Sequence, residues 1–463
     1  MTPYDQVAYP GVAYPFATPD RMSVFATLHG LAPTLPTEAT VLELGCGDGA
    51  NLLAIAQRFP TARCIGVDAS EAALAVARRR AVAAGLANVD LHRLDLATLA
   101  APGPLPLCDY VIAHGLLSWV APAVRERILT LVGQVLKPSG VAMLSFLTYP
   151  GQHDLEPLRA LMRHHVANVR DPKKRIEQAR DIALWQLDRT RRLHGEARAK
   201  LMHDIVLEWH QMPDAVFLHD LLADERHPLT LPAMATEAER AGLQWLANAR
   251  MNEPRKELLP ESLRDLVREV EDPIRRQSYL DCFLMTRFRT SLFARASAPV
   301  QRSAQPTDFA SFLATSIISR GQLPDVQTVV VETPVGSIRL SPEATMLLRH
   351  LADHRPHAMA LGTLGDPEVV GLAASELWRA EAIDLTLVPP TFAPALSNTP
   401  TAAPLARLLA TERRETVTTL WHREVPLDEE AASVLAACDG VTTAAELDHD
   451  LLERFQEVGL LTC

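Results

Sequence analysis

The chain has little that would tie it to a membrane, a metal or a polyanion. No run of ~18 uncharged apolar residues occurs in its 463 residues, and the opening Met1-Thr2-Pro3-Tyr4-Asp5 lacks the basic start and apolar core of a signal peptide. These absences predict a cytoplasmic protein with no membrane insertion. Cysteine is scarce: Cys46, Cys64, Cys108, Cys282, Cys438 and Cys463 include no C-x-x-C pair, which argues against a disulfide framework or a zinc site. The pair His164-His165 lacks the i, i+3 or i, i+4 spacing that puts two ligands on one helix face, so no metal is expected. Positive charge is in deficit, with 45 Lys and Arg against 56 Asp and Glu and a net charge of −11, so no global field attracts nucleic acid. What remains is a folded globular composition, 48% hydrophobic and 22% charged, in a chain long enough for about three domains.

From residue 39 to 146, short β-rich runs alternate with helical stretches, the pattern of a parallel sheet with crossover helices. Strands are predicted at Thr40 to Leu44, Arg63 to Asp68, Val89 to Leu94, Asp109 to His114 and Val141 to Phe146. Ser70 is a cap for a helix that Gly85 ends, and Pro138-Ser139-Gly140 reads as a turn. Beyond Pro150-Gly151 the sequence becomes charge-laced and helical to about residue 207, with further helices predicted at 218–222, 233–241, 260–269 and 274–293. Pro299 and Pro306 mark a linker. Two later passages, from Gly336 and from His422, each join an extended piece to a Ser or Asp cap, an acidic first turn and an apolar helix, which suggests two winged-helix-like units or a chance pseudo-repeat.

Gly45-x-Gly47-x-Gly49 between a strand and a helix lets backbone approach a ligand and aims a helix N-terminus at it. With Ala50 and Asp68 it also satisfies a dinucleotide fingerprint, so NAD is one reading. Glu43 beside the loop would repel a pyrophosphate and suits a cationic ligand, and Asp95 adds a second acid at a strand end. Both features favour S-adenosylmethionine, with Asp68 for the ribose diol and Asp95 for the adenine amino group.

The segments Glu43-Leu44-Gly45-Cys46-Gly47-Asp48-Gly49, Gly66-Val67-Asp68-Ala69-Ser70 and Leu136-Lys137-Pro138-Ser139-Gly140 resemble the class I S-adenosylmethionine-dependent methyltransferases. Further landmarks are Tyr4-Asp5, Tyr9-Pro10, Tyr14-Pro15-Phe16, the run Ala113 to Val120, Thr148-Tyr149-Pro150-Gly151, Arg275 to Cys282 and Arg287-Phe288-Arg289. With these the chain resembles the bacterial lysine methyltransferases that modify outer-membrane proteins, within the family carrying a methyltransferase regulatory domain. The likeness spans most of the chain and is strongest over 1–153 and about 205–295. The chain departs from the family pattern at Leu147 and Gln152, where that pattern has Asn and Trp.

The resemblance implies an α/β fold: a class I methyltransferase Rossmann-like sheet, a helical middle region and a small α+β C-terminal winged-helix-like region. Its implied organisation is a cofactor-binding domain with an N-terminal lid over 1–150, a helical regulatory region over 151–295 able to dimerise, a linker over 296–325, a first C-terminal unit over 326–400 and a winged-helix-like unit over 401–463. Expected cofactor contacts are Glu43, Gly45, Cys46, Gly47, Gly49, Asn51, Asp68, Ala69, Asp95, Leu96 and His114. Tyr149 and His114 are the expected catalytic residues, and Tyr9, Tyr14, Phe16, Trp119 and His153 the expected substrate contacts. The expected reaction is in-line methyl transfer from S-adenosylmethionine to a protein or peptide, with a lysine ε-amine the leading acceptor and a homodimer left open. A small molecule or ribosomally made peptide as acceptor, and a cofactor-sensing binding module, are the alternatives.

Overall fold

The structure, a computed structural model, describes residues 7–98, 105–194, 196–250, 259–333, 336–393 and 395–462. Tyr4-Asp5 and Cys463 lie outside the described residues.

A seven-stranded sheet organises the first 295 residues: β1 (Thr40–Leu44), β2 (Arg63–Asp68), β3 (Val89–Arg93), β4 (Cys108–Ala113), β5 (Leu136–Leu147), β6 (Leu243–Asn248) and β7 (Phe288–Arg295), in the order β3-β2-β1-β4-β5-β7-β6. The first five strands run parallel, and β7 lies antiparallel between β5 and β6. Alternate residues of each strand face opposite ways. Val41, Cys64, Tyr110 and Met143 join one buried cluster, and Leu42, Ile65, Val111 and Leu144 join the other. Both faces are covered, which is why β4 is buried along its whole length and reads as a near-continuous apolar run. Edge strand β3 has no fully buried residue: Val89 and Leu91 are half-buried, and Asp90, His92 and Arg93 are exposed. Ser70 accepts the Ala73 N–H at 3.1 Å and starts helix Glu71–Ala83, as predicted, and Gly85 follows its end at φ +68°.

Three sequence-based expectations change. Residues 274–293 do not form one helix: Pro273–Leu284 is helical, Met285 turns left-handed at φ +48°, and Phe288–Arg295 becomes β7. This strand is buried at its polar Arg289, Thr290 and Ser291 as well as at Leu292 to Ala294, so it shows no period of two and does not read as a strand. With β6 it makes the middle region mixed rather than helical, and the sheet crosses the boundary expected at 150. Within the stretch expected as linker, Pro306–Phe309 is a short helix, and Leu313–Ser316 is the central strand of a three-stranded antiparallel sheet with Met359–Ala360 and Ile383–Thr386. Pro138-Ser139-Gly140 is an irregularity inside β5 instead of a turn before it: pairing passes from Cys108–Leu136 to Tyr110–Val141.

Both similar passages build what they suggested locally. Strand Gly336–Arg339 precedes helix Pro342–Ala352, capped by Ser341, and strand Glu424–Pro426 precedes helix Glu429–Ala437, capped by Asp428. The C-terminal unit packs on the sheet's own helices. Leu405 joins Leu53, Ala54 and Ala81 in one buried cluster, while Arg80 bridges Asp48 at 2.7 Å and Glu412 at 2.8 Å. No helix among the described residues is long and apolar enough to cross a membrane.

Candidate functional site

The carboxyl ends of β1, β2 and β4 meet at one edge of the sheet, where open α/β sheets place their ligands. Between β1 and helix Ala50–Arg58, Gly45, Gly47 and Gly49 take φ of +74°, +54° and +79°, a region that side chains with a Cβ rarely enter. A Cβ on Gly47 would meet nothing within 4 Å, so the loop is open on that side. The N–H groups of Gly45 and Cys46 bond the Val67 carbonyl at 2.8 and 3.1 Å, which ties the loop to β2. Asp68 accepts the Gly47 N–H at 2.9 Å through one oxygen and the Ser70 N–H at 2.8 Å through the other. Each oxygen keeps a second lone pair. Ala69 follows it, while Asp95 is exposed beyond β3 and accepts the Ala97 N–H at 2.9 Å, with Leu96 half-buried beside it.

Glu43 is 5% exposed at the end of β1. Its Oε1 accepts from Asn51 Nδ2 at 3.0 Å, and its Oε2 is buried with no hydrogen-bond partner. Burial pushes its carboxyl up to about 8, against the Asn51 bond and with help from Asp48 and Asp68. A buried, unbonded carboxylate oxygen is costly and is a ready acceptor for a cation. Cys46 is buried behind the loop, and burial raises its thiol well above the ordinary range, so it is no nucleophile.

Beside this loop the N-terminal segment forms a wall. The Tyr14 N–H bonds Asn51 Oδ1 at 3.1 Å, and the Tyr14 ring lies 4.2 Å from His114 and 5.2 Å from Phe16. Phe16 and Phe288 also approach the imidazole, at 5.2 and 5.8 Å. His114 Nδ1 has no partner, and burial followed by the Arg250 charge lowers the ring to about 4. Farther out, Tyr9 donates to Asp220 Oδ2 at 3.4 Å, and its ring lies 6.0 Å from His219. Burial lifts Asp220 to about 6, opposed by the Tyr9 bond and the Arg226 charge. Asp220 sits on a single π-helical turn, Phe217–Leu221, a geometry found often at functional sites. Tyr14 spans the two regions, since its phenol is raised by burial and then by Asp220, Glu43 and Glu424.

Tyr149 and His153 stack at 4.2 Å on the turn after β5. Gln152 is buried there, bonding the Arg287 carbonyl at 2.6 Å and accepting from Arg226, which also pairs with Glu156. The Leu147 N–H bonds Ser118 Oγ at 2.8 Å. Glu43, Asn51, Tyr14, Phe16 and His114 thus form one cluster, Tyr149 and His153 a second, and Tyr9 meets Asp220. Trp119 joins none of them by a ring contact, and its indole N–H is buried unpaired. Sequence reasoning missed Asp220, Arg226 and His422, which donates to Asn51 from the far end of the chain. A groove of about 750 Å³ beside Phe309, Ile338 and Leu372 includes none of the expected site residues. Among the described residues no group of three or more His, Cys, Asp or Glu is arranged to hold a metal ion.

Residues 41–140 match a methyltransferase domain, 213–295 a predicted methyltransferase regulatory domain, and 398–462 the C-terminal winged helix domain of PKMT. The uncharacterized protein RP789 of Rickettsia prowazekii is 28% identical over 310 residues, 67% of this chain and 56% of that protein. RP028 of the same organism is 30% identical over 177 residues, 38% of this chain and 70% of that protein. The chain thus spans little more than half the length of RP789. The structure of PKMT2 from Rickettsia typhi in complex with AdoHcy superimposes with a TM-score of 0.81 at 20% identity, covering 98% of this chain and 93% of that one, a likeness of fold.

Proposed function

The chain belongs to the class I S-adenosylmethionine-dependent methyltransferases, and from that premise we propose that it methylates a protein, with a lysine ε-amine as the acceptor. The unpaired Oε2 of Glu43 supports the cofactor's place: a buried carboxylate beside an open glycine loop fits an amino-acid ammonium. Asp68 has lone pairs left for a ribose diol, Gly47 gives backbone access, and Asp95 with Leu96 would border the adenine. When bound, the cofactor supplies a methyl group already activated on a sulfonium. The protein's task is to align the acceptor and exclude water.

The observation that carries the lysine reading is the cluster of Tyr9 and His219 beside the carboxylate of Asp220, whose charge also reaches Tyr14. Aromatic faces and one acid suit an ammonium that must enter charged and react neutral. Holding a lysine of ordinary pKa neutral at pH 7 costs about 4.6 kcal/mol unless its surroundings lower that pKa. Burial beside these rings would do so, and Asp220 is the better proton acceptor there, since His114 is depressed to about 4. His114 then serves through its free Nδ1 as a contact to cofactor or acceptor, and Tyr149, stacked on His153, aligns the amine. Leu147 and Gln152, which stand where the family pattern has Asn and Trp, are each held in place, Leu147 by Ser118 and Gln152 by the Arg287 carbonyl and Arg226. We place the protein in the cytoplasm.

The test is to incubate the full chain with methyl-tritiated S-adenosylmethionine and fractionated bacterial lysate, then locate label by mass spectrometry. Label on lysines of a discrete protein is the expected result. Label confined to small molecules overturns the protein acceptor, and label on other side chains overturns lysine.

A further inference from the structure

His422 comes from the C-terminal unit, at the turn between strands Thr416–Thr418 and Glu424–Pro426, yet it ends beside the glycine loop. It is 1% exposed, and its backbone sits at φ +60°, where a residue with a Cβ is uncommon. The turn holds it there: the His422 N–H bonds the Thr419 carbonyl and the Thr419 N–H bonds the Arg423 carbonyl, both at 2.8 Å. Its Nε2 lies 2.8 Å from Asn51 Oδ1. Asn51 spends its amide N–H groups on Glu43 Oε1 at 3.0 Å and the Ala17 carbonyl at 3.3 Å, so its oxygen faces His422 and the Tyr14 N–H. That polarity assigns the imidazole Nε2 as a donor. Burial, then the Arg58 charge, lowers the ring to about 3, so it is neutral and carries one N–H.

Adjacent contacts run the same way. Glu424 accepts the Ala13 N–H at 3.2 Å, Arg414 reaches the Gly11 carbonyl at 3.4 Å, and the Arg58 guanidinium lies 5.2 Å from the Trp421 ring. The segment 11–14 is therefore held between the glycine loop and the C-terminal unit. Gly11 passes so close that a Cβ there would meet Asp48 Oδ1 at 1.8 Å.

We propose that His422 is a positioning residue for the cofactor site, fixing the Asn51 amide so that Glu43 presents its unbonded oxygen to the cofactor ammonium. The C-terminal unit is then a part of the methyltransferase site and not an appended module. This rests on the reading that Glu43 meets the cofactor. By thermodynamic reciprocity, cofactor binding tightens the seat of the C-terminal unit as much as that seat tightens the cofactor.

The experiment measures S-adenosylhomocysteine binding to the full chain by calorimetry, with no turnover required, for the parent, Glu43→Gln, His422→Gln and His422→Phe. His422→Gln keeps a side-chain donor and His422→Phe keeps the volume. The expected result is a loss of at least ten-fold in affinity for His422→Phe and a return to within about three-fold for His422→Gln. Affinity within two-fold of the parent for His422→Phe, with only the melting temperature lowered, overturns the proposal. Equal losses in both His422 variants overturn it as well. If Glu43→Gln binds as the parent does, the reading of Glu43 fails first, and the relay with it. Hydrogen exchange on the parent guards against variants that do not fold: S-adenosylhomocysteine is expected to slow the amides of residues 419–425, and unchanged exchange there overturns the proposal.

Discussion

On the proposed reading of Glu43, cofactor binding is a proton-linked event. In the free protein its carboxyl, held up to about 8 mainly by burial, is protonated by roughly ten to one at pH 7. An arriving ammonium favours the carboxylate, so binding expels that proton. Affinity for S-adenosylmethionine should therefore rise between pH 6 and 7.5, by up to about ten-fold per unit. Calorimetry in two buffers of different ionisation heat reads the released proton, and Glu43→Gln should lose both the release and the slope. No proton release in the parent sinks the assignment. Asp68→Ala should abolish cofactor binding while leaving the melting temperature within a few degrees, since only two backbone N–H bonds in a loop are lost. Unchanged calorimetric affinity would remove Asp68 from the site. Tyr149→Phe keeps the stack on His153 and removes the hydroxyl. It should slow single-turnover transfer by about ten-fold or more while cofactor affinity stays within two-fold, and an unchanged rate would reduce Tyr149 to a packing role.

At the scale of elements, the Tyr149-Pro150-Gly151 turn is pressed against the end of helix Pro273–Leu284. A Cβ on Gly151 would lie 2.1 Å from the Met285 carbonyl oxygen and 2.5 Å from that of Thr286, backbone atoms that cannot step aside. Gly151→Ala should cost about 1–3 kcal/mol, visible as a lower melting midpoint, and should slow transfer by shifting Tyr149. A variant as stable and active as the parent would show that the turn has slack. This junction also shows what can be read from sequence. β1 and β2 were legible because each apolar run stops at a glycine or an acid, as Leu44-Gly45 and Val67-Asp68 do, and β4 because its Tyr110 to Ala113 run is apolar throughout. β7 was not, because a buried strand follows a helix after three residues and its onset depends on Met285 turning left-handed. The site divides likewise. Glu43, the glycines and Asp68 are neighbours in sequence, whereas Tyr9 meets Asp220 across 211 residues and Asn51 meets His422 across 371, distances no local pattern encodes.

For the molecule as a whole, Arg80 is the electrostatic tie between the glycine loop and the C-terminal unit, with Asp48 on one side and Glu412 on the other. Its partners are partly exposed, so Arg80→Ala should cost only about 1 kcal/mol. The effect should nonetheless be directional. Limited trypsin digestion should release the C-terminal unit several-fold faster, and S-adenosylhomocysteine should slow that release in the parent; equal release rates would mean that apolar packing around Leu405 alone holds the unit. The sheet order carries one more consequence, for synthesis. β5 pairs with β4 as soon as both exist, but its other side waits for β7, which leaves the ribosome only after the whole intervening region. Until then the nascent chain bears a raw margin from Val141 to Leu147, buried along its whole length in the finished protein and able to recruit any passing strand. An expression fragment cut at residue 150 would keep that margin permanently, and would be expected to aggregate before it could ever bind a cofactor.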